Sequence, residues 1–367
     1  MEISVIRVKI RYIFIMFNPT EIIFATTTAC NLHCPHCFIN REPSSLKISD
    51  ALNFLKSVHD SEYSQIEKIG FSGGEPFLSP DFLCQVIKTS VDYDFMFDRI
   101  MTNGDWWKSE EDLCERLQKV YDAGYDGKIG LSYDTFHAQS EGRVATFIEN
   151  VWKIFGNDAV EIQSVKEEGE SLPLAPKPSR FTNRSCRQAD SFRFVDLSAT
   201  PSMGDTPITP PSVSKLLSSL AKKLNLTYEE NLSESGRGIA SLSDEEHFLP
   251  AYIQTECYQA SDKRAFKDKD WFQDDLCESM GQILFVHASG NIAPCCGFAN
   301  ENEKLFIGKI TDTFDTVLQK SKENKMVRLC FERGLSSLIK SLQAEGKLPP
   351  GKTSDICTFC DFIMQNV

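Results

Sequence analysis

Strand and helix patterns alternate through the first half of this 367-residue chain, and this alternation most strongly constrains its fold. Short apolar runs of strand length are each followed by a stretch with apolar residues at helical spacing. Repeated βα units predict a parallel sheet with helices packed outside it, and ligands bind at the carboxyl ends of such strands. The predicted strands span residues 21–29, 68–74, 97–104, 128–134 and 160–165, separated by helices at 50–60, 80–93, 109–124 and 144–155.

The pattern breaks down at residues 167–211, where proline, serine and charged residues dominate and one strand-like run remains at 192–197. This stretch is either a substrate-facing insertion or a disordered linker. A helix at 212–225 and a possible sixth strand at 226–231 follow it. The fold class predicted from these segments is α/β.

Three cysteines follow the first predicted strand. Cys30, Cys34 and Cys37 have the spacing C-x3-C-x2-C. Three thiolates hold three irons of a cubane cluster and leave the fourth iron open, whereas electron-carrier clusters usually have four cysteine ligands. The alternative is a zinc site in which His33 or His36 is the fourth ligand.

A second motif, Gly-Gly-Glu-Pro, ends the second predicted strand at residues 73–76. Paired glycines allow a ligand to approach the backbone closely. The glutamate offers an acceptor for a cationic amine, and the proline stiffens the turn. On its own, this segment is also typical of a tight turn.

Together the two motifs resemble the radical S-adenosylmethionine superfamily. The resemblance implies a partial (β/α)6 barrel, a 4Fe-4S cluster and S-adenosylmethionine chelated to the open iron. It implies that the cluster ligands are Cys30, Cys34 and Cys37. The residues implied to contact the methionine moiety are Gly73, Gly74, Glu75 and Pro76, and His36 falls where the family places an aromatic residue near the adenine.

Polar residues also end the third and fourth predicted strands. Members of the superfamily place such residues against the ribose and methionine parts of the cofactor, which makes Asn103, Ser132 and Asp134 candidates. Turn formation explains the Asn-Gly pair equally well. Arg143, at the start of the next helix, either binds the cofactor carboxylate in a bidentate manner or lies on the surface.

A second set of cysteines lies in the C-terminal third. Cys277, Gly290 and Cys295 have the spacing C-x12-G-x4-C around a predicted hairpin turn at residues 289–291, and C-x2-C follows at Cys357 and Cys360. Four such thiolates form a closed site for zinc or for a fully ligated iron–sulfur cluster. A helical stretch is predicted between them, at about 312–344.

Behind a radical S-adenosylmethionine core, this segment resembles the SPASM/twitch auxiliary-cluster domain in its shorter, twitch form. The resemblance implies one auxiliary 4Fe-4S cluster on Cys277, Cys295, Cys357 and Cys360. The neighbouring Cys296 leaves open which thiol of the doublet binds. The cysteines that match no motif are Cys84, Cys114, Cys186, Cys257 and Cys330.

We therefore predict three regions: an N-terminal extension at 1–20, a barrel at 21–255 that contains the irregular insertion, and an auxiliary-cluster domain at 256–367 built from a β-hairpin and a helix. The apolar residues 1–15 form an extra strand or precede a true start at Met16. A net charge of −13 without a long basic run argues against a nucleic-acid partner. Clustered cysteines that must stay reduced favour the cytoplasm, and no apolar run reaches the roughly 18 residues that span a membrane.

The resemblance implies an enzyme that cleaves S-adenosylmethionine to a 5′-deoxyadenosyl radical and abstracts hydrogen from an unactivated carbon. An auxiliary cluster would accept an electron, and flavodoxin or ferredoxin would supply one. We expect a peptide or protein substrate, because the irregular region offers a recognition surface. The alternatives are a dehydrogenase of a small sugar or cyclitol and, in another class, a non-enzymatic iron–sulfur or zinc protein, which metal analysis would distinguish.

Overall fold

The computed structural model describes residues 17–39, 42–166, 212–232, 238–272 and 281–366. Most of the predicted N-terminal extension lies outside the described residues, as do the irregular stretch 167–211 with its strand-like run and the two cysteines Cys186 and Cys277.

The predicted βα alternation is confirmed from residue 21 to residue 166. Several strands end before the predicted position, because the last residues of each predicted strand form the loops that carry the motifs. The elements follow the order β1 (Glu21–Ala25), α1 (Ile48–His59), β2 (Lys68–Ser72), α2 (Pro80–Asp92), β3 (Met96–Thr102), α3 (Glu110–Asp122), β4 (Lys128–Ser132), α4 (Glu141–Phe155) and β5 (Val160–Lys166).

The sixth parallel strand is not the one predicted. After α5 (Val213–Lys223), residues at the predicted position form β6 (Thr227–Leu232), which pairs antiparallel with β7 (Gly238–Ser243) at the edge of the sheet. Two reversals of the chain bring β8 (Phe248–Thr255) back beside β5, with which it pairs in parallel. The strand predicted at 226–231 is therefore confirmed as a strand, but it lies at the edge of the sheet, and β8 occupies the place beside β5.

The C-terminal region extends the same sheet. β9 (Ile283–Val286) pairs in parallel with β1, and β10 (Asn291–Ala293) returns antiparallel to β9. The predicted hairpin turn is confirmed: Gly290 has a φ of +84°, which favours glycine. β11 (Gly308–Lys309) then pairs with β10.

The helical stretch predicted at 312–344 is divided. It consists of α6 (Phe314–Glu323), α7 (Lys325–Arg328), a π-helical turn (Leu329–Arg333) and α8 (Ser336–Ala344). The chain continues to α9 (Ile356–Asn366), which carries the C-x2-C motif.

The eleven described strands form one open sheet in the order β11-β10-β9-β1-β2-β3-β4-β5-β8-β7-β6, of which β9 to β8 are mutually parallel. This is the α/β architecture expected of a partial barrel, without closure between the two edge strands. Among the described helices, none is both long and apolar enough to cross a bilayer.

Amphipathic helices cover one face of the parallel strands. In α4, Val144, Phe147, Ile148 and Val151 recur at helical spacing and are fully buried. Burial of each such side chain contributes about 1.5–3 kcal/mol. The helices hold the strands in place. A site can therefore form at the carboxyl ends of the strands and in the loops that follow them.

Candidate active site

The carboxyl ends of the parallel strands surround a cavity with about 940 Å³ of empty space, counted with its open mouth. The cavity brings together most of the residues that the sequence predicted, namely Cys30, Cys34, His36, Cys37, Gly73, Gly74, Asn103, Ser132 and Asp134.

The loop after β1 carries the three cysteines of the first motif as half-buried thiols that form no disulfide bond. The backbone N–H of Cys37 donates to the carbonyl of Cys34 at 3.1 Å, which closes a turn between them. Cys30 Sγ accepts from the Leu32 N–H at 3.4 Å and from Asn103 Nδ2 at 3.6 Å. Three thiols on one cavity, with N–H donors to a sulfur, fit a cubane cluster that keeps one iron open.

The two glycines after β2 allow the β1 and β2 loops to touch. Gly73 has a φ of +125°, and a Cβ there would lie 2.6 Å from the carbonyl oxygen of Thr27. A Cβ on Gly74 would lie only 2.2 Å from the carbonyl oxygen of Ala29. The Gly74 N–H donates to Thr27 at 2.6 Å. The glycines therefore hold the cysteine loop against the end of β2 and line the cavity with bare backbone.

Glu75 is fully buried and is not among the residues that line the cavity. Its carboxylate accepts from the Phe77 N–H at 3.1 Å, from Thr102 Oγ1 at 2.8 Å and from the Asn103 N–H at 2.9 Å. Burial raises the pKa of this carboxyl to about 7, although these hydrogen bonds oppose the shift. In this structure Glu75 connects the ends of β2 and β3. The buried Pro76 begins a short 3₁₀ turn immediately after it.

Two histidines and an aspartate cluster at one wall of the cavity. The His36 ring packs against Phe136 and His137, with centroid distances of 4.6 and 4.8 Å. Burial lowers the pKa of His36 to about 4. Asp134 accepts from His137 Nδ1 at 2.7 Å.

Each partner of this ion pair shifts the pKa of the other. Burial opposes both charges, but the carboxylate of Asp134 raises the pKa of His137 to about 10, and His137 lowers the pKa of Asp134. One ligand atom from each of His36, Asp134 and His137 lies within 4.8 Å of the other two. A charge-assisted hydrogen bond of this kind holds both side chains in one orientation at the wall of the cavity.

Asn103 bridges two loops at the cavity. Its Nδ2 donates to Asn31 Oδ1 at 2.9 Å as well as to Cys30 Sγ, and its Oδ1 accepts from the Asp105 N–H at 2.8 Å. Ser132, at the end of β4, also lines the cavity, and its carbonyl accepts from Gln139.

Arg143 lies elsewhere. Its guanidinium binds the carboxylate of Asp105, donates to the Trp107 carbonyl at 2.6 Å and stands 3.6 Å from the centroid of the Trp107 ring. It does not line the cavity. Arg143, in the first turn of α4, therefore packs against the loop after β3 and outside the lining of the cavity.

Comparisons with known proteins agree with this site. Residues 22–144, which include both motifs, match a family model described as a 4Fe-4S single cluster domain. The chain is 21% identical over 354 residues to the "Putative peptide biosynthesis protein YydG" of Bacillus subtilis, which covers 94% of this chain and 92% of that protein.

Two further relatives match shorter segments. The chain is 33% identical over 113 residues to the GTP 3′,8-cyclase of Chlorobaculum tepidum, covering 30% of this chain and 32% of the cyclase. It is 28% identical over 156 residues to an S-adenosylmethionine-dependent nucleotide dehydratase of Fibrobacter sp., covering 40% of this chain and 41% of the dehydratase. The chain thus spans less than half the length of these two proteins.

The chain belongs to the radical S-adenosylmethionine superfamily. Its cofactors are accordingly a 4Fe-4S cluster and S-adenosylmethionine. The three cysteine thiols and the glycine-lined backbone of the cavity are the features of this structure that fit them.

The sequence analysis did not identify some of the residues that line the cavity of this radical S-adenosylmethionine protein. They lie on β5 and β8 and are Gln163, Ser164, Val165 and Gln254. The strand at 160–165 was predicted but assigned no site residue, because it lacks a glycine-rich motif. The end of this strand lies at the carboxyl edge of the sheet, where ligands bind, and this position could have identified its cavity residues. The strand that supplies Gln254 was not recognised at all.

The C-terminal cysteines converge beside the hairpin. Cys295 follows β10, and Cys357 and Cys360 lie on α9. Cys296 points away from them, because it packs with Ile23 and Phe285 in a separate apolar cluster. Cys277, also predicted as a ligand, lies outside the described residues.

Proposed function

We propose that this protein modifies a peptide or protein by abstracting a hydrogen atom from an unactivated carbon. One observation carries this proposal: a cavity lined by three cysteine thiols and by glycine backbone lies beside a second, larger cleft. YydG, which is named as a putative peptide biosynthesis protein, matches nearly the whole chain and supports the same substrate class.

In this proposal Cys30, Cys34 and Cys37 hold the cluster, and Gly73 and Gly74 present backbone groups to S-adenosylmethionine. When bound and reduced, the two cofactors supply a 5′-deoxyadenosyl radical. The chain's own residues keep water out and fix the cofactor in one orientation. Buried side chains, above all the ion pair formed by Asp134 and His137, make the walls of the cavity rigid.

The second cleft lies between the cysteine loop and the β9–β10 hairpin. It contains about 1140 Å³ of empty space including its mouth, and it shares Thr28, Phe38, Ile39, Ser72 and Gly73 with the first cavity. The two spaces are therefore neighbours across one wall. The additional room suits an extended substrate, which would reach the cofactor from the hairpin side.

The lining of this cleft indicates which substrate groups it favours. Glu301 and Glu303 contribute carboxylates to it. His287 is only 6% exposed, and its Nε2 has no hydrogen-bond partner among the described residues. Because an acidic lining attracts positive charge and an unpaired buried nitrogen requires a partner, we propose a polar segment that carries a cationic side chain.

The electron balance requires an acceptor. Removal of a hydrogen atom breaks one C–H bond and leaves an odd electron on the substrate, while 5′-deoxyadenosine carries the hydrogen away. Loss of a second electron and a proton would complete a two-electron oxidation. We propose that an auxiliary 4Fe-4S cluster at the C-terminal cysteines accepts this electron, and that flavodoxin or ferredoxin reduces the first cluster.

The radical chemistry is tested by anaerobic loading with iron and sulfide, followed by S-adenosylmethionine, dithionite and quantification of 5′-deoxyadenosine. We expect formation by the wild type and by Cys84→Ala, whose thiol lies on α2 away from both sites. Cys34→Ala should form none. Zinc instead of iron in the first site, or equal formation by Cys34→Ala, would contradict the proposal.

The substrate class is tested by measuring how strongly added compounds stimulate the formation of 5′-deoxyadenosine. We expect short peptides that contain lysine and arginine to stimulate it more than acidic peptides of equal length or small sugars. The double variant Glu301→Lys/Glu303→Lys should lose this preference. Glu149→Lys, on the exposed face of α4, should retain it. Stimulation by sugars alone would instead favour the small-molecule dehydrogenase.

A further inference from the structure

Cys330 belongs to no sequence motif, yet it lies among the C-terminal cysteines. It is 3% exposed, and its Sγ stands 3.9 Å from Cys360 Sγ. That distance is nearly twice the roughly 2.05 Å of a disulfide bond. Both sulfurs are free thiols. They are thus adjacent without being bonded to each other.

The backbone at Cys330 is unusual. The residue lies in the π-helical turn Leu329–Arg333, between α7 and α8. Such turns insert one extra residue into a helix and occur frequently at functional sites. In this chain, the turn divides a helical stretch that the sequence predicted to be continuous. In an uninterrupted α-helix, the side chain of Cys330 would point in a different direction.

Two more cysteines surround the pair. A Cβ placed on Gly297 would lie 2.9 Å from Cys357 Sγ, so the backbone after the Cys295–Cys296 doublet packs directly on this sulfur. Besides the 3.9 Å contact with Cys330, the Cys360 thiol lies close enough to Cys295 and Cys357 to interact electrostatically with both. Four thiols therefore share one partly apolar site.

We propose that Cys330 is a ligand of the auxiliary cluster and that Cys295, Cys330, Cys357 and Cys360 form its complete four-thiolate set. A cubane cluster takes one thiolate for each iron, so this set leaves no position for Cys277. The inference rests on the auxiliary cluster of the proposed function and differs from the ligand set implied by the sequence motifs.

The test uses full-length protein in which Cys30, Cys34 and Cys37 are all replaced by alanine, so that only the C-terminal site can bind iron. After anaerobic loading, we expect about four irons and four sulfides per chain. In this background, Cys330→Ser and Cys330→Ala should lose the cluster or convert it to a three-iron form with its own EPR signal. Cys277→Ser and Cys84→Ser should retain about four irons.

Circular dichroism of the metal-free variants separates loss of a ligand from misfolding, and the alanine variant keeps the test valid if serine perturbs the buried site. Full iron in both Cys330 variants would overturn the proposal. Loss of iron in Cys277→Ser would also overturn it, whether or not Cys330→Ser loses iron. Because the readout does not depend on cleavage of S-adenosylmethionine, it stays separate from a failure of the proposed activity.

Discussion

Gly74→Ala tests the contact between the β1 and β2 loops most directly. The added Cβ would lie 2.2 Å from the Ala29 carbonyl oxygen and 2.7 Å from the Thr28 carbonyl oxygen, whereas ordinary contact begins at 3.4 Å. Both obstacles are backbone atoms, which cannot rotate away as the end of a side chain can. The two loops must therefore separate by roughly 1 Å.

The expected cost follows from what this separation breaks. The N–H groups of Gly74 and Glu75 donate to Thr27 and Ala29 at 2.6 and 2.8 Å, and both hydrogen bonds join the two loops. Each contributes about 0.5–1.5 kcal/mol, and steric overpacking adds about 1–3 kcal/mol. We therefore expect Gly74→Ala to lower the free energy of unfolding by about 2–6 kcal/mol.

The assay is urea unfolding followed by circular dichroism, with the iron content measured after loading. Gly142→Ala is the matched control, because its nearest contact would be Ser140 Oγ at 3.8 Å and its backbone is helical. It should change stability by no more than about 1 kcal/mol, in the stabilising direction. A Gly74→Ala protein that unfolds at the wild-type urea concentration and binds a full complement of iron would refute the reasoning.

Two further substitutions test neighbouring positions. Because burial raises the pKa of Glu75 from 4.5 to about 7, the neutral carboxyl favours folding; this stability is complete below pH 4.5 and is lost as the pH rises through about 7. Urea unfolding of the metal-free wild type should show that the free energy of unfolding falls by up to about 3 kcal/mol from about pH 5 to about pH 8. Glu75→Gln should lack this dependence on pH. An equal dependence on pH in both proteins would contradict the assignment. Arg143→Lys should cost about 1–2 kcal/mol, because an ammonium cannot replace the guanidinium contacts with Asp105 and Trp107, and should leave the KM for S-adenosylmethionine unchanged. A raised KM with unchanged stability would instead place Arg143 at the cofactor.

Local patterns in the sequence located most of the residues that line the first cavity. The cysteine spacing and the glycine pair sit at strand ends, and apolar periodicity located those strands to within a few residues. The ends differ because residues 26–29 form backbone bonds with neighbouring loops, as when the Thr28 N–H donates to the Ser44 carbonyl at 2.9 Å. Such partners are distant in sequence, and no local pattern encodes them.

The features that were missed depend on tertiary pairing. β6 and β8 are both strand-like segments, and only the reversals through β7 decide which one lies beside β5. Cys330 is 30 residues from Cys360 and has no spacing motif. Its neighbourhood arises from the π-helical turn and the packing of α9. Glu75 was predicted as an acceptor for an amine. The sequence does not reveal that three donors of the chain itself surround its carboxylate.

The parallel pairing of β9 with β1 has a consequence for how substrate enters. Backbone hydrogen bonds run along this seam from Glu21 beside Ile283 to Phe24 beside Val286, and Ser44 Oγ donates to the Ala288 carbonyl at 2.8 Å just beyond it. A clamshell movement that parted the hairpin from the cysteine loop would break this ladder. For the proposed substrate, we therefore expect entry and release through the mouth of the cleft by small rearrangements of loops and side chains, and we expect that the opening of one domain away from another does not limit turnover.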